Sequence, residues 1–515
     1  MRKSLVFLVL IIIFLSTSIM YANDIKNVIK SSKKNKDQIK YAIRYFKQEG
    51  DSLQQDASNY ILKSIGEHSF IQYALVDSGG SEIEWDVLHY KNYDSMSAAM
   101  DSLEAIKGKL IWEKKEKVED VQSISAEVLI ENVELAFEAW KEKPWAKNYS
   151  YEIFKEYILP YRGSNEPIES WRGYFMVEYE DIESKMNNIN DPLEAATLIN
   201  KDLKSWFKFD SRFYCHPTDQ GLFSMLMNKV GRCEDMTNLA IYAMRANGIA
   251  VTSDYTPHWA DTGNNHAWNV VITPDGKAIP FMGCEENPGK YSLRRRMAKV
   301  YRKTYSKQTE NLAFKLGNEE KAPAWLSGKC YLDVTREYTN VSHVTLKLDS
   351  EIPDGVNFAY LCVFNSGEWK AIHWGKINGN SVTFTEMGLN LAYLPMFYVN
   401  EELIPAGEPF ILRRDKAIRT LKEDGVFEFV KLTSVRKKNI EKSSRNRINV
   451  FLDEGCKYEL FYWQNEWKSL GVKTAKGDPL VLRNVPKNCL YWLVKKGSKK
   501  EERIFTYHND KQFWW

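Results

Sequence analysis

The sequence has no surplus of either charge. Its 71 Lys and Arg offset 68 Asp and Glu, leaving a formal net charge of +3 over 515 residues. A chain this balanced has no global field to gather nucleic acid, so no nucleic-acid partner is expected. It has no apolar run near the ~20 residues that a membrane-spanning helix needs. The one sustained run, from Leu5 to Leu15, is too short. It has no Cys-x-x-Cys or His-Glu-x-x-His spacing and no Gly-rich strand-to-helix loop. No metal site and no cofactor are therefore expected. With 44% apolar and 27% charged residues, a disordered or collagen-like chain is excluded as well.

The N-terminus carries Arg2 and Lys3, the apolar run, and then Ser16-Thr17-Ser18 and Met20-Tyr21-Ala22-Asn23. A basic start, a short apolar stretch and small residues at the end are the pattern of a secretory signal peptide. Residues 1–22 are read as that signal. The expected destination is the periplasm, cell surface or extracellular space, with no membrane span in the mature chain. There are seven cysteines. An odd number leaves at least one thiol outside internal disulfides, and Cys233 is the candidate.

The length suggests about three domains. Residues 23–200 read as a helical N-terminal region. Val133, Ala136, Phe137 and Trp140 fall on one helix face. Asp191-Pro192-Leu193-Glu194 starts another helix, with Leu193, Ala196, Ile199, Leu203 and Trp206 along one side. Residues 201–330 read as an α+β core. In it a helix from Cys233 ends at Asn247-Gly248 and strands follow at Ile249–Ser253, His266–Thr273 and Lys277–Phe281. The basic run Arg294-Arg295-Arg296 with Lys299 reads as a solvated or salt-bridged helix rather than a nucleic-acid patch.

Beyond residue 330 the pattern is all β, and it repeats. Phe364-Asn365-Ser366-Gly367-Glu368-Trp369-Lys370 matches Tyr462-Trp463-Gln464-Asn465-Glu466-Trp467-Lys468, the tryptophans lying 98 positions apart. Tyr393 and Tyr491 share that offset. Two related modules, 331–420 and 421–515, are expected, each β-sandwich-like. Their Trp369, Trp374, Trp463, Trp467 and Trp492 are open to two readings, core packing or stacking on sugar rings and peptide side chains.

The segment that carries chemistry is Gly231-Arg232-Cys233-Glu234-Asp235-Met236. A cysteine at a helix start sits among free N–H groups at the positive end of the dipole, which favours thiolate. Thirty-three residues on, His266 opens a strand in Asn264-Asn265-His266-Ala267-Trp268-Asn269, where an imidazole can serve as base and then acid.

Together these motifs resemble the transglutaminase-like superfamily, a branch of the papain-like architecture. The resemblance rests on Gly-x-Cys at a helix start, the helix-to-strand passage Ala243–Ala250, and His266-Ala267-Trp268 at a strand start. It implies a nucleophile at Cys233, a base at His266 and amide chemistry through an acyl-enzyme. It also implies an Asp on the following strand in a Pro-x-Asp pattern, but here Pro280-Phe281-Met282 puts Met282 at that position. Glu285 is the preferred substitute, and Asp275 and Asn269 are alternatives. Asp275 also reads as a turn residue. Trp259 is a candidate groove wall or packing residue. Gln220 is a candidate oxyanion donor or an exposed loop residue. Phe154–Arg162, Asn165-Glu166-Pro167 and Trp171-Arg172 extend the likeness to large secreted bacterial relatives. There Arg162 and Glu166 would line the groove or form a buried interdomain salt bridge.

The fold expected is thus multidomain α+β: a helical region, a papain/transglutaminase-like core and two β modules. The function expected is an exported thiol hydrolase or acyltransferase acting on an amide bond of a peptide or glycopeptide. The alternative is a catalytically degenerate scaffold that binds peptide or glycan.

Overall fold

A computed structural model describes residues 24–317, 320–437, 450–499 and 501–515. Residues 1–22, read from sequence as a signal peptide, lie outside the described residues. Among those described, no helix is long and apolar enough to cross a membrane. The architecture combines helices with many antiparallel strands, as an α+β chain should. Two compact units emerge. The first holds the chain up to Asp254 together with Ala267–Ser292 and Lys303–Gln308. The second holds Tyr255–His266, Leu293–Arg302 and Thr309–Trp515.

In the first unit, helix α1 (Ala126–Glu142) buries Leu129, Val133, Ala136 and Phe137, following the 3.6-residue period. Helix α2 (Pro192–Trp206) starts as its sequence dictates. The Asp191 carboxylate accepts from the Leu193 N–H at 2.8 Å, and Pro192 occupies the first turn, where no N–H is missed. The region is not purely helical. Ser69–Val76 pairs antiparallel with Ile111–Glu119 and with Glu82–Ile83. Ile111–Glu119 is mostly exposed and dominated by Glu and Lys, so it carries little of the apolar alternation that announces a strand.

Helix α3 (Cys233–Ala246) is the axis of this unit. Apart from Glu234, every residue in it is buried, which is the mark of a helix packed on all sides rather than on one stripe. It stops at Gly248, whose φ of +69° suits glycine. The Ile249 N–H returns to the Met244 carbonyl at 3.0 Å. A Cβ at Gly248 would also come within 2.8 Å of the Ala146 Cβ, so the stop doubles as a close packing point. Strands β1 (Val251–Thr256), β2 (His266–Ile272) and β3 (Ala278–Phe281) follow, in sheet order β1-β2-β3. Asp275 lies in the β2–β3 turn, accepting from the Thr273 hydroxyl.

Buried arginines tie this unit together through backbone carbonyls. Arg172 donates to the carbonyls of Ile158, Leu159 and Arg245, and Arg245 donates to those of Arg162 and Val251. Arg162 grips Asp120 with both forks, at 2.5 and 2.6 Å, with both residues buried. Glu166 accepts from the Gly163 and Ser164 N–H groups at 2.7 Å. Arg162 thus forms a buried salt bridge, but within the first unit and not between domains as expected.

In the second unit the repeat becomes geometry. Strand β4 (Phe358–Asn365) pairs with β5 (Glu368–Asn378) and with β6 (Leu391–Val399), which pairs with β7 (Phe410–Leu412). Strand β8 (Lys457–Gln464) pairs in the same order with β9 (Glu466–Thr474) and β10 (Tyr491–Lys495), which pairs with β11 (Ile504–His508). Each repeat closes a corner the same way. Tyr393 Oη donates to the Gly388 carbonyl, and Tyr491 Oη donates to the Pro486 carbonyl. The matched tryptophans face a shared apolar cluster. Phe364 meets Trp369, Trp467 and Trp492 edge-on, and Trp369 meets Trp463. Trp369, Trp463, Trp467 and Trp492 pack between the repeats, and Trp374 packs on Phe358 within the first, as the core-packing reading expects.

Residues 294–296 form no helix, contrary to expectation. They lie in an irregular stretch pinned by Lys299, which is fully buried against Asp333 and donates to the Thr385 carbonyl at 2.7 Å.

Candidate active site

Cys233 is the first residue of α3 and is 6% exposed. The residues before it form a polar collar that fixes the helix start. The Asp235 carboxylate accepts from the Arg232 N–H at 2.9 Å and from the Gln220 N–H at 2.8 Å. Arg232 donates to Asp219 at 2.9 Å and to the His216 carbonyl at 2.8 Å. Burial and the nearby Asp219 push Asp235 up to about 6. Gly231 leaves no room for a side chain, because a Cβ there would sit 2.7 Å from Asp235.

Gln220 belongs to this collar. Its side-chain amide donates to the Val230 carbonyl at 3.0 Å and to Asp235 at 3.1 Å, and its oxygen accepts from Asn228. It is 4% exposed. It is neither an exposed loop residue nor a free oxyanion donor, since its amide hydrogens already have acceptors.

The thiol environment also differs from expectation. The Cys233 Sγ donates to Glu234 Oε2 at 3.0 Å. Burial first, and the Glu234 carboxylate second, hold the thiol well above its ordinary range. The Ala267 backbone N–H and Arg232 pull the other way and do not prevail. The resting sulfur is therefore a protonated thiol, although it stands at a helix N-terminus. Glu234 went unnoticed because an acid in the first helical turn is commonplace. Its position directly after the cysteine was the available signal.

The Ala267 N–H reaches the sulfur from the start of β2, so the strand that His266 opens begins at the thiol. His266 itself stacks on Trp259, with centroids 6.0 Å apart and planes 24° apart. Trp259 is 7% exposed and packs against that imidazole. The loop that delivers His266 is held within the second unit. Asn365 Nδ2 approaches the carbonyls of Trp259, Thr262 and Asn264 at 2.8–3.1 Å. Arg503 donates to the Ala260 carbonyl at 2.7 Å. Neither residue was singled out from sequence, because each lies more than a hundred positions from the loop.

Met282 is 2% exposed and donates its N–H to the Glu286 carbonyl. Asn269 is fully buried and committed elsewhere. Its amide donates to the Thr237 carbonyl at 3.0 Å, and its oxygen accepts from the Gly283 N–H at 3.1 Å. Glu285 is an exposed turn residue. Burial first, with Glu285 and Cys233 adding to it, raises the pKa of the Tyr214 and Tyr291 hydroxyls. Burial and Glu286 lift the Glu285 carboxyl, against the pull of Lys204. All seven cysteines are thiols, so parity does not single out Cys233. Among the described residues, no group of three His, Cys, Asp or Glu could hold a metal.

Residues 180–281 match the family model described as the transglutaminase-like superfamily. The chain carries a transglutaminase-like domain. The match spans both Cys233 and His266 and ends one residue before Met282. Such a domain is a scaffold of the thiol hydrolase or acyltransferase type. No curated protein matches the chain.

Proposed function

We propose that this protein is an exported thiol hydrolase or acyltransferase that opens an amide bond of a peptide or glycopeptide. The observation that carries the reading is the Ala267 N–H at the Cys233 sulfur, which starts the His266 strand beside a cysteine at a helix N-terminus. In this reading His266 takes the thiol proton as sulfur attacks the carbonyl carbon. Backbone N–H groups at the helix start receive the oxyanion. The imidazolium returns its proton to the leaving amine, and water then releases the acyl group. Because the resting thiol is protonated, His266 acts as base during attack rather than as half of a stored ion pair. Glu285 is the proposed carboxylate beside the imidazole. Trp259 supports the imidazole in place of walling the groove.

The second reading, a binding scaffold without catalysis, is favoured by Met282 and by the Glu234 carboxylate beside the sulfur. A mass-spectrometric screen of peptides and glycopeptides, with Cys233→Ala as control, separates the two. Cleavage or transfer that depends on both Cys233 and His266 supports the enzyme. Retention of a peptide or glycan without turnover supports the scaffold.

A further inference from the structure

The second unit contains a cavity of about 1060 Å³. Its lining includes Arg294, Arg295, Arg296, Arg414, Arg436 and Arg503, with Lys437 beside them. Two carboxylate side chains, Asp261 and Glu501, face the same space, and Trp515 adds its terminal carboxylate. An adjoining cavity of about 390 Å³ shares Asn390, Arg414, Phe513 and Trp515, and adds Arg413, Arg419 and Asp415, the last paired with Arg413 at 3.1 Å. This concentration of cations stands out in a chain whose total charge is +3.

The array is built rather than loosely solvated. Arg503 is 6% exposed, and its guanidinium is anchored to the carbonyls of Phe364 and Ala260 at 2.7 Å and to a carboxylate oxygen of the terminal residue Trp515 at 2.8 Å. Arg296 donates to the carbonyls of Asn390 at 2.8 Å and Trp514 at 2.9 Å, and its guanidinium lies 5.8 Å over the Trp515 ring. Its nearest carboxylate contact, Asp261, is 3.8 Å away. The anchors from Phe364, Ala260, Asn390 and Trp514 are neutral carbonyls, which orient a guanidinium without cancelling its charge, while the Trp515 carboxylate and Asp261 offset part of it. The outcome is visible in the protonation balance. Burial, with Arg296 and Arg295 adding to it, pushes Arg503 down to about 10 against the pull of Asp261.

We propose that this cavity binds an anionic oligosaccharide, through carboxylate, sulfate or phosphate groups on the sugar. Arginine forks recognise such groups in two-pronged fashion. The volume is at the scale of a multi-ring ligand, since pockets of roughly 300–1,000 Å³ hold drug-sized molecules. A single phosphate or sulfate ion would fill a small part of it. Between the arginines lie Thr262, Asn264, Asn390 and Gln512, polar groups suited to hydroxyls, and the Trp515 indole suits a ring face. A ligand that alternates charged groups with hydroxyls matches this lining better than an acidic peptide does. The site makes no demand on the thiol chemistry.

The test is calorimetric titration of the full mature chain in low salt. The probes are a tetrameric oligogalacturonate, its sulfated analogue, neutral maltotetraose, pentaglutamate and inorganic phosphate. The test variant is Arg294→Ala/Arg295→Ala/Arg414→Ala, three exposed positions whose loss should leave the fold intact. The expected result is binding of at least one acidic oligosaccharide, weakened tenfold or more by the triple variant and by raising the salt, with no binding of maltotetraose. Cys233→Ala should bind as wild type does, which keeps the outcome separate from any failure of the amide chemistry. The proposal is overturned if neither acidic oligosaccharide binds, or if the triple variant binds equally well. It is also overturned if pentaglutamate or phosphate binds as tightly, which would assign the cavity to acidic peptide or to simple ions.

Discussion

Replacing Glu234 by Gln should make Cys233 more reactive. The carboxylate oxygen lies 3.0 Å from the sulfur and opposes a second negative charge there. Two unit charges at that distance repel by about 1.4 kcal/mol in a water-like medium and about 5.5 kcal/mol at an effective dielectric of 20. The Glu234 side chain is 20% exposed, and Arg232 lies 3.4 Å from the same carboxylate. Both facts favour the lower end, a drop of about 1–2 units in the thiol pKa. Near pH 7.5 the thiolate fraction then rises about 10- to 100-fold. Thiolate nucleophilicity falls with pKa at a Brønsted slope of about 0.4–0.5, so the net gain is about 3- to 10-fold in rate. The assay is iodoacetamide alkylation over a pH series, followed by quantifying the Cys233 peptide by mass spectrometry. That readout separates it from the other six thiols. An unchanged or slower rate in Glu234→Gln would refute the claim that this carboxylate keeps the thiol protonated.

Asn365→Ala should loosen the loop before His266. Three carbonyls lose a shared donor, and a cost of about 2 kcal/mol corresponds to roughly 30-fold faster hydrogen exchange across residues 259–266, read by mass spectrometry. His258 is held neutral by burial, with Lys370 adding to the effect, its pKa lowered from 6.5 to about 4. The unfolded chain therefore binds the proton first, and stability falls as pH drops from about 6.5 to about 4, by up to ~3 kcal/mol. NMR titration of the His258 ring should show a midpoint near 4, and His258→Gln should flatten the stability profile in that window. Arg162→Ala leaves Asp120 buried without its partner and should destabilise the first unit by about 3–5 kcal/mol, seen as a lower thermal midpoint.

The candidate site was legible in sequence to the extent that its signals are local. Gly-x-Cys before a buried helix and His-Ala-Trp at a strand start each occupy a few consecutive residues. So do the helix stop at Asn247-Gly248, the turn at Asp275 and the hairpins of the repeat. What surrounds the site was less legible. Gln220 read as an exposed loop residue because its partners, Val230 and Asp235, are brought to it by the collar and not by a motif. Arg294–Arg296 read as a solvated helix because the carbonyls that anchor Arg296 come from residues 390 and 514. The tryptophans of the repeat were countable, but their partners across the repeats were not.

The sequence alone determined the repeat, the helix that starts at Cys233 and the strand that starts at His266, because hydrophobic period, capping residues and turn chemistry act over a few positions. Only the tertiary structure decided the state of the thiol, the commitment of Asn269 and Gln220, and the gathering of arginines around one cavity. Those depend on burial and on charges within a few ångströms, and residues far apart in the chain supply both.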